Sequence, residues 1–208
     1  MDYIVEAVMK NLLKVGLVQV EVSARHVHLS REDLRILFGS GAELTPVRDL
    51  SQPGQFLAKE RICLIGEKGR KDQVAILGPV RKDTQVELSK SDCIELGVEA
   101  PVRESGDITG SGVMILEGPC GRIKINQGVI IAKNHVHVPY QVAKELQLKD
   151  KERVSVQVLT ERPIIFRDVS IRVSDQSRFR MHIDFDEANA ALVNGFVLGR
   201  IIQPLRES

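Results

Sequence analysis

The sequence predicts a mainly β protein with short helices, an α+β fold built by internal duplication. Two observations carry this prediction. First, all five histidines belong to one repeated pattern: His26 and His28 form one His-x-His pair, His135 and His137 form a second, and His182 follows in the later half. Second, the segments that follow the two pairs correspond to each other in kind and in order. The fold is therefore expected to consist of two similar halves.

The first element, residues 1–15, is predicted to be an amphipathic helix, because its apolar residues recur at close to helical spacing. These residues are Ile4, Val5, Val8, Leu12 and Leu13. The helix could pack on the fold or on a dimer partner, or it could act as a targeting segment. Its short link to the next strand favours packing.

Each half then begins with a β-branched run that ends in the histidine pair and leads into a short helix. Ser30 is a plausible N-cap of the first helix, and Pro139 suits the first position of the second. Alternating strands around polar turns follow from Glu60 and from Glu152, as in β-hairpins. Each half closes with a strand that enters a capped helix, QVELSKSDCIELG in one and RMHIDFDEANAALVNG in the other.

Composition narrows the function classes. The chain has 208 residues, 43% of them hydrophobic and only 4% aromatic, so Val, Ile and Leu must fill the core. A net charge of +1 gives no electrostatic reason to expect a nucleic acid or an anionic membrane as partner. No apolar run approaches the roughly 20 residues of a membrane span, and residues 1–15 lack the form of a secretory signal. Three widely spaced cysteines indicate reduced thiols in a cytoplasmic protein.

The repeat also predicts two metal-binding triads. Side chains two apart on a strand share a face, so a His-x-His pair can hold one ion, and neutral imidazole is a common ligand. When the closing strands are aligned, Glu87 stands opposite His182, which gives each half a third ligand. Three protein ligands leave a position open for water or substrate, as in catalytic zinc sites. Zinc is the expected metal, and cobalt, nickel or iron are alternatives.

An anion site is predicted at Arg81, which follows Gly78-Pro79 and precedes Glu87 by six residues. A guanidinium can hold phosphate or carboxylate through two parallel hydrogen bonds, although an arginine in such a loop is more often a solvated charge. Neither GxGxxG nor GxxxxGK[ST] occurs, so ATP or a dinucleotide is not indicated. No Ser–His–Asp pattern stands out.

From about Val18 to Ile201 the chain resembles the PduL-type phosphate acyltransferases, the phosphotransacylases associated with propanediol utilisation. The motifs that carry the resemblance are, in order, SARHVHLS, DLSQPGQF, LGPVRKDTQVELS, AKNHVHV and MHIDFDEANA. The resemblance implies two β-barrels capped by short helices. Residues 16–24 plus 133–208 are expected in one barrel domain and residues 25–132 in the other.

The resemblance also implies a reaction and its site residues: a short-chain acyl-CoA plus phosphate is interconverted with acyl phosphate plus CoA. Two Zn²⁺ per chain are expected, one held by His26, His28 and Glu87 and the other by His135, His137 and His182. Arg81 matches the phosphate-binding arginine, the catalytic residue of this reading. The family's CoA contacts map onto Val22, Ser23, Ala24, Arg48, Leu77 and Asn189. One departure is Ala75, where family members often have a basic residue; Lys71 or Arg70 could replace that contact.

The expected mechanism is direct attack of phosphate on the thioester at a di-zinc site, with a propanoyl or acetyl group transferred. The alternatives are a zinc-dependent thioester hydrolase and a non-catalytic microcompartment-associated protein. The expected partners are acyl-CoA, CoA and phosphate, with a second copy of the chain as homodimer. The expected location is the bacterial cytoplasm. The alternative is a bacterial microcompartment, to which the N-terminal helix would target the chain and where shell or cargo proteins would be its partners.

Overall fold

A computed structural model of the chain describes residues 15–202. The chain divides into two compact units, one formed by residues up to Ser23 and from Asn134 onward, the other by Ala24–Lys133. The predicted N-terminal helix lies outside the described residues except for Val15. Within them the fold class is confirmed, because strands dominate and the helices are short.

Fourteen strands and four helices are described between residues 15 and 202. The strands are β1 (Leu17–Val22), β2 (His26–His28), β3 (Pro46–Asp49), β4 (Phe56–Ile65), β5 (Arg70–Gly78), β6 (Gln85–Glu87), β7 (Val102–Arg103), β8 (Gly112–Glu117), β9 (Arg122–Ala132), β10 (His135–Val138), β11 (Arg153–Val158), β12 (Ile165–Val173), β13 (Arg180–Ile183) and β14 (Val197–Ile202). The helices are α1 (Arg31–Phe38), α2 (Lys90–Leu96), α3 (Tyr140–Glu145) and α4 (Phe185–Ala190).

The unit that contains both ends of the described chain is a closed barrel of six strands in the order β1-β13-β10-β12-β11-β14. Strand β1 closes it by pairing parallel with β13 and antiparallel with β14. The first strand of the sequence therefore completes a sheet whose other strands all come from the C-terminal part.

The second unit also closes. Its sheet runs β4-β5-β2-β6-β9, and β8 pairs with both β4 and β9, which completes a ring of six strands. The short strands β3 and β7 attach outside the ring, to β4 and β9. The expectation of two β-barrels is thus confirmed.

The two rings have the same pairing pattern, as the duplication predicts. Each histidine strand, β2 or β10, pairs parallel with one neighbour and antiparallel with the strand of the third predicted ligand. That strand, β6 or β13, in turn pairs parallel with the strand that closes the ring, β9 or β1. Each closing strand leads along the chain into the histidine strand of the other unit, β1 into β2 and β9 into β10.

Alternation of side chains explains how the barrels fill. In β11, Val154, Val156 and Val158 are buried in the core, and the polar residues between them face the other way. The same alternation acts at the histidine strands, where Val27 and Val136 are fully buried in the hydrophobic clusters of their units. The histidines on either side of each valine consequently share the opposite face.

The helices begin at caps that the sequence largely encodes. Ser30 accepts a hydrogen bond from the Asp33 amide, as predicted, and α2 and α4 start with reciprocal capping boxes. The expectation for Pro139 was wrong by one residue: it is the N-cap of α3 with φ −60° and ψ 148°, and Tyr140 is the first helical residue. A proline fits there because its fixed φ is also that of extended backbone.

Candidate metal centres

The first triad is formed by two adjacent strands of the second unit. His26 and His28 lie on β2, and the strand register places Glu87 of β6 directly opposite His26. All three residues are buried, and their candidate ligand atoms lie within 4.8 Å of one another. Nε2 of His26 is 3.4 Å from Oε2 of Glu87. The antiparallel pairing thus brings together the three residues that the repeat suggested.

Backbone carbonyls orient both rings of this triad. Nδ1 of His26 lies 2.8 Å from the Ala24 carbonyl, and Nδ1 of His28 lies 3.1 Å from the Leu77 carbonyl. A ring that donates its Nδ1 proton to a carbonyl keeps the lone pair of Nε2 available for a cation. Both rings therefore present the nitrogen that a metal ion needs.

The carboxylate of Glu87 is held in a comparable way. Nε2 of Gln85 and Oγ of Ser105 both donate to its Oε1, at 2.6 Å and 2.7 Å. The other oxygen, Oε2, faces His26. Sequence reasoning missed both donors. Gln85 could have been found two residues before Glu87 on the same strand, whereas Ser105 lies in a loop and carried no signal.

The electrostatics of the first triad favour a cation. Burial lowers the pKa of His28 to about 3, assisted by the charges of His26 and Arg81, so this ring is neutral near pH 7. Burial by itself would raise the pKa of Glu87, but His26, together with His28 and Ser105, keeps it well below its usual range. Burial opposes protonation of His26 too, yet Glu87 raises the pKa of this ring. An ionised carboxylate beside imidazoles is the state that a divalent ion requires.

The second triad lies in the other barrel at the equivalent positions. His135 and His137 are on β10, and His182 of β13 stands opposite His135. The three rings have centroids 4.8 to 5.2 Å apart, and Nε2 of His135 lies 3.1 Å from Nε2 of His137. Burial, with His182 and Arg172, lowers the pKa of His137 to about 3 against the opposing effect of Glu21.

One nitrogen of this triad lacks a hydrogen bond. Nε2 of His182 is buried and has no hydrogen-bond partner among the described residues. Oε2 of Glu21 is 3.3 Å away, but the pair does not have hydrogen-bonding geometry. A buried polar atom without a hydrogen-bond partner needs an explanation, and binding of a cation would provide one. Both donor sets, nitrogen with or without carboxylate oxygen, fit zinc and similar divalent ions.

Arg81 is connected to the first triad through one side chain. Its backbone amide donates to the Leu29 carbonyl, and its Nη1 donates to Oγ of Ser105 at 3.2 Å. Since Ser105 also donates to Glu87, guanidinium and candidate ligand share one intermediary. The structure therefore connects Arg81 to the first triad through Ser105.

The residues predicted to contact CoA are placed as follows. The Ala24 and Leu77 carbonyls orient the first triad, and the Ser23 amide donates to the Ile183 carbonyl at 2.8 Å. Val22 is the last residue of β1, while Arg48 of β3 and Asn189 of α4 are exposed. Val22 and Leu77 thus lie on strands that pair with a strand carrying a triad histidine. Ser23 and Ala24 lie between β1 and β2, and each contacts such a strand through its backbone.

Ala75 pairs with His26 across β2 and β5. The two cations suggested as substitutes for a basic residue here are already engaged with carboxylates. Lys71 contacts Asp92 at 3.3 Å and also Glu95, and Arg70 contacts Asp72 at 2.7 Å and Glu117 as well. Either cation would have to exchange an existing ion pair for a ligand contact.

One further contact occurs in both units, and the sequence did not indicate it. In each unit the residue just before the His-x-His pair donates a hydrogen bond to an acidic residue. This acidic residue belongs to the capping box of the helix that follows Glu87 or His182. Arg25 Nε donates to Asp92 Oδ1 at 2.8 Å, and Asn134 Nδ2 donates to Glu187 Oε1 at 2.6 Å. Each contact ties the start of a histidine strand to the helix after its partner strand.

None of the helices described between residues 15 and 202 has the length and apolar character needed to cross a membrane.

Comparison with known proteins gives one consistent result. Residues 19–194 match the family model described as phosphate propanoyltransferase. The chain is 52% identical over 176 residues to the phosphate propanoyltransferase of Thermotoga maritima, with 84% of each chain covered. It is 50% identical over 182 residues to that of Leptotrichia buccalis, covering 88% of this chain and 86% of the relative. It is 43% identical over 203 residues to that of Clostridioides difficile, covering 98% and 97%.

Proposed function

The chain belongs to the phosphate propanoyltransferase family and is therefore an acyltransferase that uses phosphate, and we propose that it interconverts a short-chain acyl-CoA and phosphate with acyl phosphate and CoA. The proposed functional residues are Arg81 and the residues of the two histidine triads. The observation that supports this proposal is the Arg81–Ser105–Glu87 connection, which links a guanidinium to a candidate cation site.

Arg81 is the proposed phosphate-binding and catalytic residue. Its planar guanidinium can bind two phosphate oxygens at once and hold the nucleophile in a fixed orientation. The same positive charge can stabilise the negative charge that develops on the thioester oxygen. The Arg81 side chain donates a hydrogen bond to Ser105, and the Arg81 backbone amide donates to the Leu29 carbonyl.

The two triads are the proposed sites of two Zn²⁺ ions per chain, one held by His26, His28 and Glu87 and the other by His135, His137 and His182. When bound, such ions act as Lewis acids that polarise carbonyl or phosphoryl oxygens and orient reactants. The chain's own contribution is to lower the pKa of His28 through burial, to lower the pKa of Glu87 through His26, His28 and Ser105, and to orient the two rings through the Ala24 and Leu77 carbonyls.

Transfer is proposed to be direct, from thioester to phosphate, without an acyl-enzyme. In this reaction the bond between carbonyl carbon and CoA sulfur breaks as a phosphate oxygen bonds to the same carbon. Two of the three cysteines, Cys63 and Cys93, are buried, and burial raises the pKa of Cys63 to about 11. A thiol with that pKa is protonated at neutral pH and therefore a poor nucleophile. The third, Cys120, is exposed and belongs to neither triad; its amide donates to the Leu37 carbonyl of α1.

The remaining parts of the proposal rest on the family resemblance. CoA is taken to contact Val22, Ser23, Ala24, Arg48, Leu77 and Asn189. The acyl group is propanoyl or acetyl, which differ by one methylene, worth about 1–3 kcal/mol in a fitted pocket. The chain is proposed to act as a homodimer in the bacterial cytoplasm or inside a microcompartment.

The test is CoA release from propanoyl-CoA and acetyl-CoA, measured with and without inorganic phosphate. The proposal predicts release only when phosphate is present, with acyl phosphate formed in equal amount. The ratio of the two rates gives the acyl preference. Release that does not need phosphate would instead indicate a thioester hydrolase, and no release from metal-loaded protein would contradict the proposed reaction.

A further inference from the structure

The side chain of Gln85 joins the first triad to a neighbouring turn. The residue is 2% exposed, and the strand register places it, on β6, opposite His28 of β2. Its Nε2 donates to Oε1 of Glu87 at 2.6 Å and to Oγ of Ser105 at 2.9 Å, and its Oε1 accepts from the Gly106 amide at 2.7 Å. Both amide hydrogens and the amide oxygen are therefore engaged.

These partners allow one orientation of the Gln85 amide. If the amide were turned over, its oxygen would face the carboxylate of Glu87, and its NH₂ group would face the N–H of Gly106. Two hydrogen bonds would then be replaced by repulsion between like groups, at a position that is nearly closed to solvent. The amide therefore sets how Glu87 and the turn that contains Gly106 are placed relative to each other.

This turn, the Ser105 turn, comprises residues 104–107 and lies between β7 and β8. The Asp107 amide donates to the Glu104 carbonyl at 2.9 Å, which closes the turn. Gly106 is its third residue and has φ +98°, a conformation that glycine adopts readily. The turn thereby presents the Gly106 amide and the Ser105 hydroxyl to the same glutamine side chain.

The Ser105 hydroxyl is shared by three side chains. It accepts from Nε2 of Gln85 at 2.9 Å and from Nη1 of Arg81 at 3.2 Å, and it donates to Oε1 of Glu87 at 2.7 Å. A hydroxyl has one hydrogen and two lone pairs, so these contacts use its whole capacity. Since two of its neighbours are donors, its hydrogen points to Glu87. Gln85 thus acts on Glu87 directly and on Arg81 through the hydroxyl.

The second unit uses the equivalent position differently. Arg180 stands opposite His137 there, as Gln85 stands opposite His28 in the first triad. Nε of Arg180 donates to Oε1 of Glu21 at 2.9 Å. The glutamine and its turn therefore do not follow from the duplication, and they belong to the triad that is connected to an arginine through a hydroxyl.

We propose that Gln85 is a positioning residue for acyl transfer, because it holds the Ser105 turn in place. The Ser105 hydroxyl then orients both the Glu87 carboxylate and the Arg81 guanidinium. This inference rests on the proposed roles of Arg81 in phosphate binding and of the first triad in metal binding. Without the Gln85 amide, the turn loses its contact at Gly106 and Glu87 loses one of its donors. Metal affinity at the first triad and affinity for phosphate then fall together.

The first test measures metal affinity in Gln85→Met, which keeps roughly the length of the side chain and removes its amide. Dissociation constants for Zn²⁺ are determined by competition with a chelator, and a variant with His135→Ala and His137→Ala identifies the constant of the first triad. We expect Gln85→Met to weaken that constant at least about tenfold and to leave the other unchanged. An unchanged constant at the first triad would overturn the inference.

Gln127→Met is the matched control. Gln127 is an exposed glutamine of the same unit, and its Oε1 also accepts from a glycine amide, that of Gly110 at 3.3 Å. It makes no contact with Glu87 or Ser105 that would link it to the triad, so both zinc constants should match those of the unaltered chain. A loss in this control equal to that in Gln85→Met would argue against a special role of Gln85.

The second test separates positioning from a general loss of packing. In zinc-loaded protein, we expect Gln85→Met to raise the KM for inorganic phosphate about tenfold and to leave the KM for propanoyl-CoA unchanged. In a Ser105→Ala background the same substitution should change the KM for phosphate less than about threefold, because the shared contact is already absent. A full effect in that background, or equal increases for both substrates, would contradict positioning through Ser105. Should Gln85→Met not fold, Gln85→Asn keeps the amide but withdraws it by one methylene, with the same expectations.

Failure of this inference can be told from failure of the proposed function. An unaltered chain that binds no zinc at the first triad, or releases no CoA when phosphate is added, would contradict both. Phosphate-dependent release by the unaltered chain, with zinc and phosphate constants unchanged in Gln85→Met, would contradict only the role of Gln85.

Discussion

Arg25 donates from Nε to Oδ1 of Asp92 at 2.8 Å, and this contact joins the start of the first histidine strand to the helix after Glu87. Asp92 is 2% exposed and also completes the capping box of α2 with Ser89. The same relationship exists between Asn134 and Glu187 in the other barrel, at 2.6 Å. A contact that occurs in both copies, with different side chains, indicates a shared requirement to hold in place the two strands that carry the triad residues.

Asp92→Asn tests that requirement. Asparagine keeps the cap but loses the charge that faces Arg25 and Lys71, so we expect the free energy of unfolding to fall by about 1–3 kcal/mol. Metal affinity at the first triad should fall as well, and affinity at the second should not. Denaturant unfolding and a metal competition titration measure both effects. Glu95→Gln is the control, because it removes an exposed partner of the same Lys71; an equal loss in this control would argue against a special role of Asp92.

Arg81→Ala should lower the rate of acyl transfer at least about a hundredfold while both metal ions stay bound, because it removes the proposed phosphate ligand and no metal ligand. The rate is measured under saturating acyl-CoA, with a metal count on the same sample. Lys82→Ala, an exposed neighbour, should keep its rate. Near-normal turnover of Arg81→Ala would exclude the assigned role.

Ser105→Ala removes a donor to Glu87 and the acceptor for Arg81 at once. We expect metal affinity at the first triad to fall about tenfold, the usual effect of losing a contact to a ligand, with the second triad unchanged. The rate should also fall in fully loaded protein, since Arg81 loses its support. Ser111→Ala, which removes a hydroxyl that binds only backbone, serves as control. Unchanged affinity at both triads would show that Ser105 does not hold Glu87 for the ion.

The carboxyl group of Glu187 makes the free energy of unfolding depend on pH. Burial raises the pKa of Glu187 to about 7 from the ordinary 4.5, and the negative charges of Asp184 and Asp186 act in the same direction. Hydrogen bonds from the Asp184 backbone amide and the Asn134 side chain act in the opposite direction. The folded state therefore binds the proton more tightly than the unfolded state. This contribution to stability is complete below about pH 4.5 and is lost as the pH rises through about 7.

Glu187→Gln should remove this loss, so the difference in unfolding free energy between pH 5 and pH 8 should shrink. Chemical denaturation across that range, with a chelator present throughout, measures it. Glu161→Gln changes an exposed carboxylate of the same unit and should leave the pH dependence as it is. An unaltered slope in Glu187→Gln would show that this carboxyl does not titrate in the window.

The sequence predicted the duplication well because the repeat is local. A histidine pair, a cap such as Ser30 and an alternating strand each depend on a few consecutive residues. Glu87 was found only because its segment aligns with that of His182, and the strand register explains why: each pairs with the first histidine of its own barrel. The repeat thus encoded a contact between strands that are distant in sequence.

The supporting residues could not be predicted in the same way. Ser105 reaches Glu87 from a loop 18 residues further on, and Glu21 reaches His182 across 161 positions through the strand β1 that closes its barrel. Such contacts depend on which strands become neighbours, and no local pattern encodes that. The repeat itself hid Glu21, because the equivalent position in the other copy is the apolar Ile130.

The most direct test of a metal-dependent acyl transfer is the rate of acyl phosphate formation as a function of metal content. The protein is stripped with a chelator and titrated with Zn²⁺ in the presence of propanoyl-CoA and phosphate, while bound zinc is counted. We expect no turnover in the stripped protein and full turnover only as bound zinc approaches two ions per chain. Full turnover of stripped protein, or of protein that binds no zinc at the two triads, would contradict the proposed metal dependence.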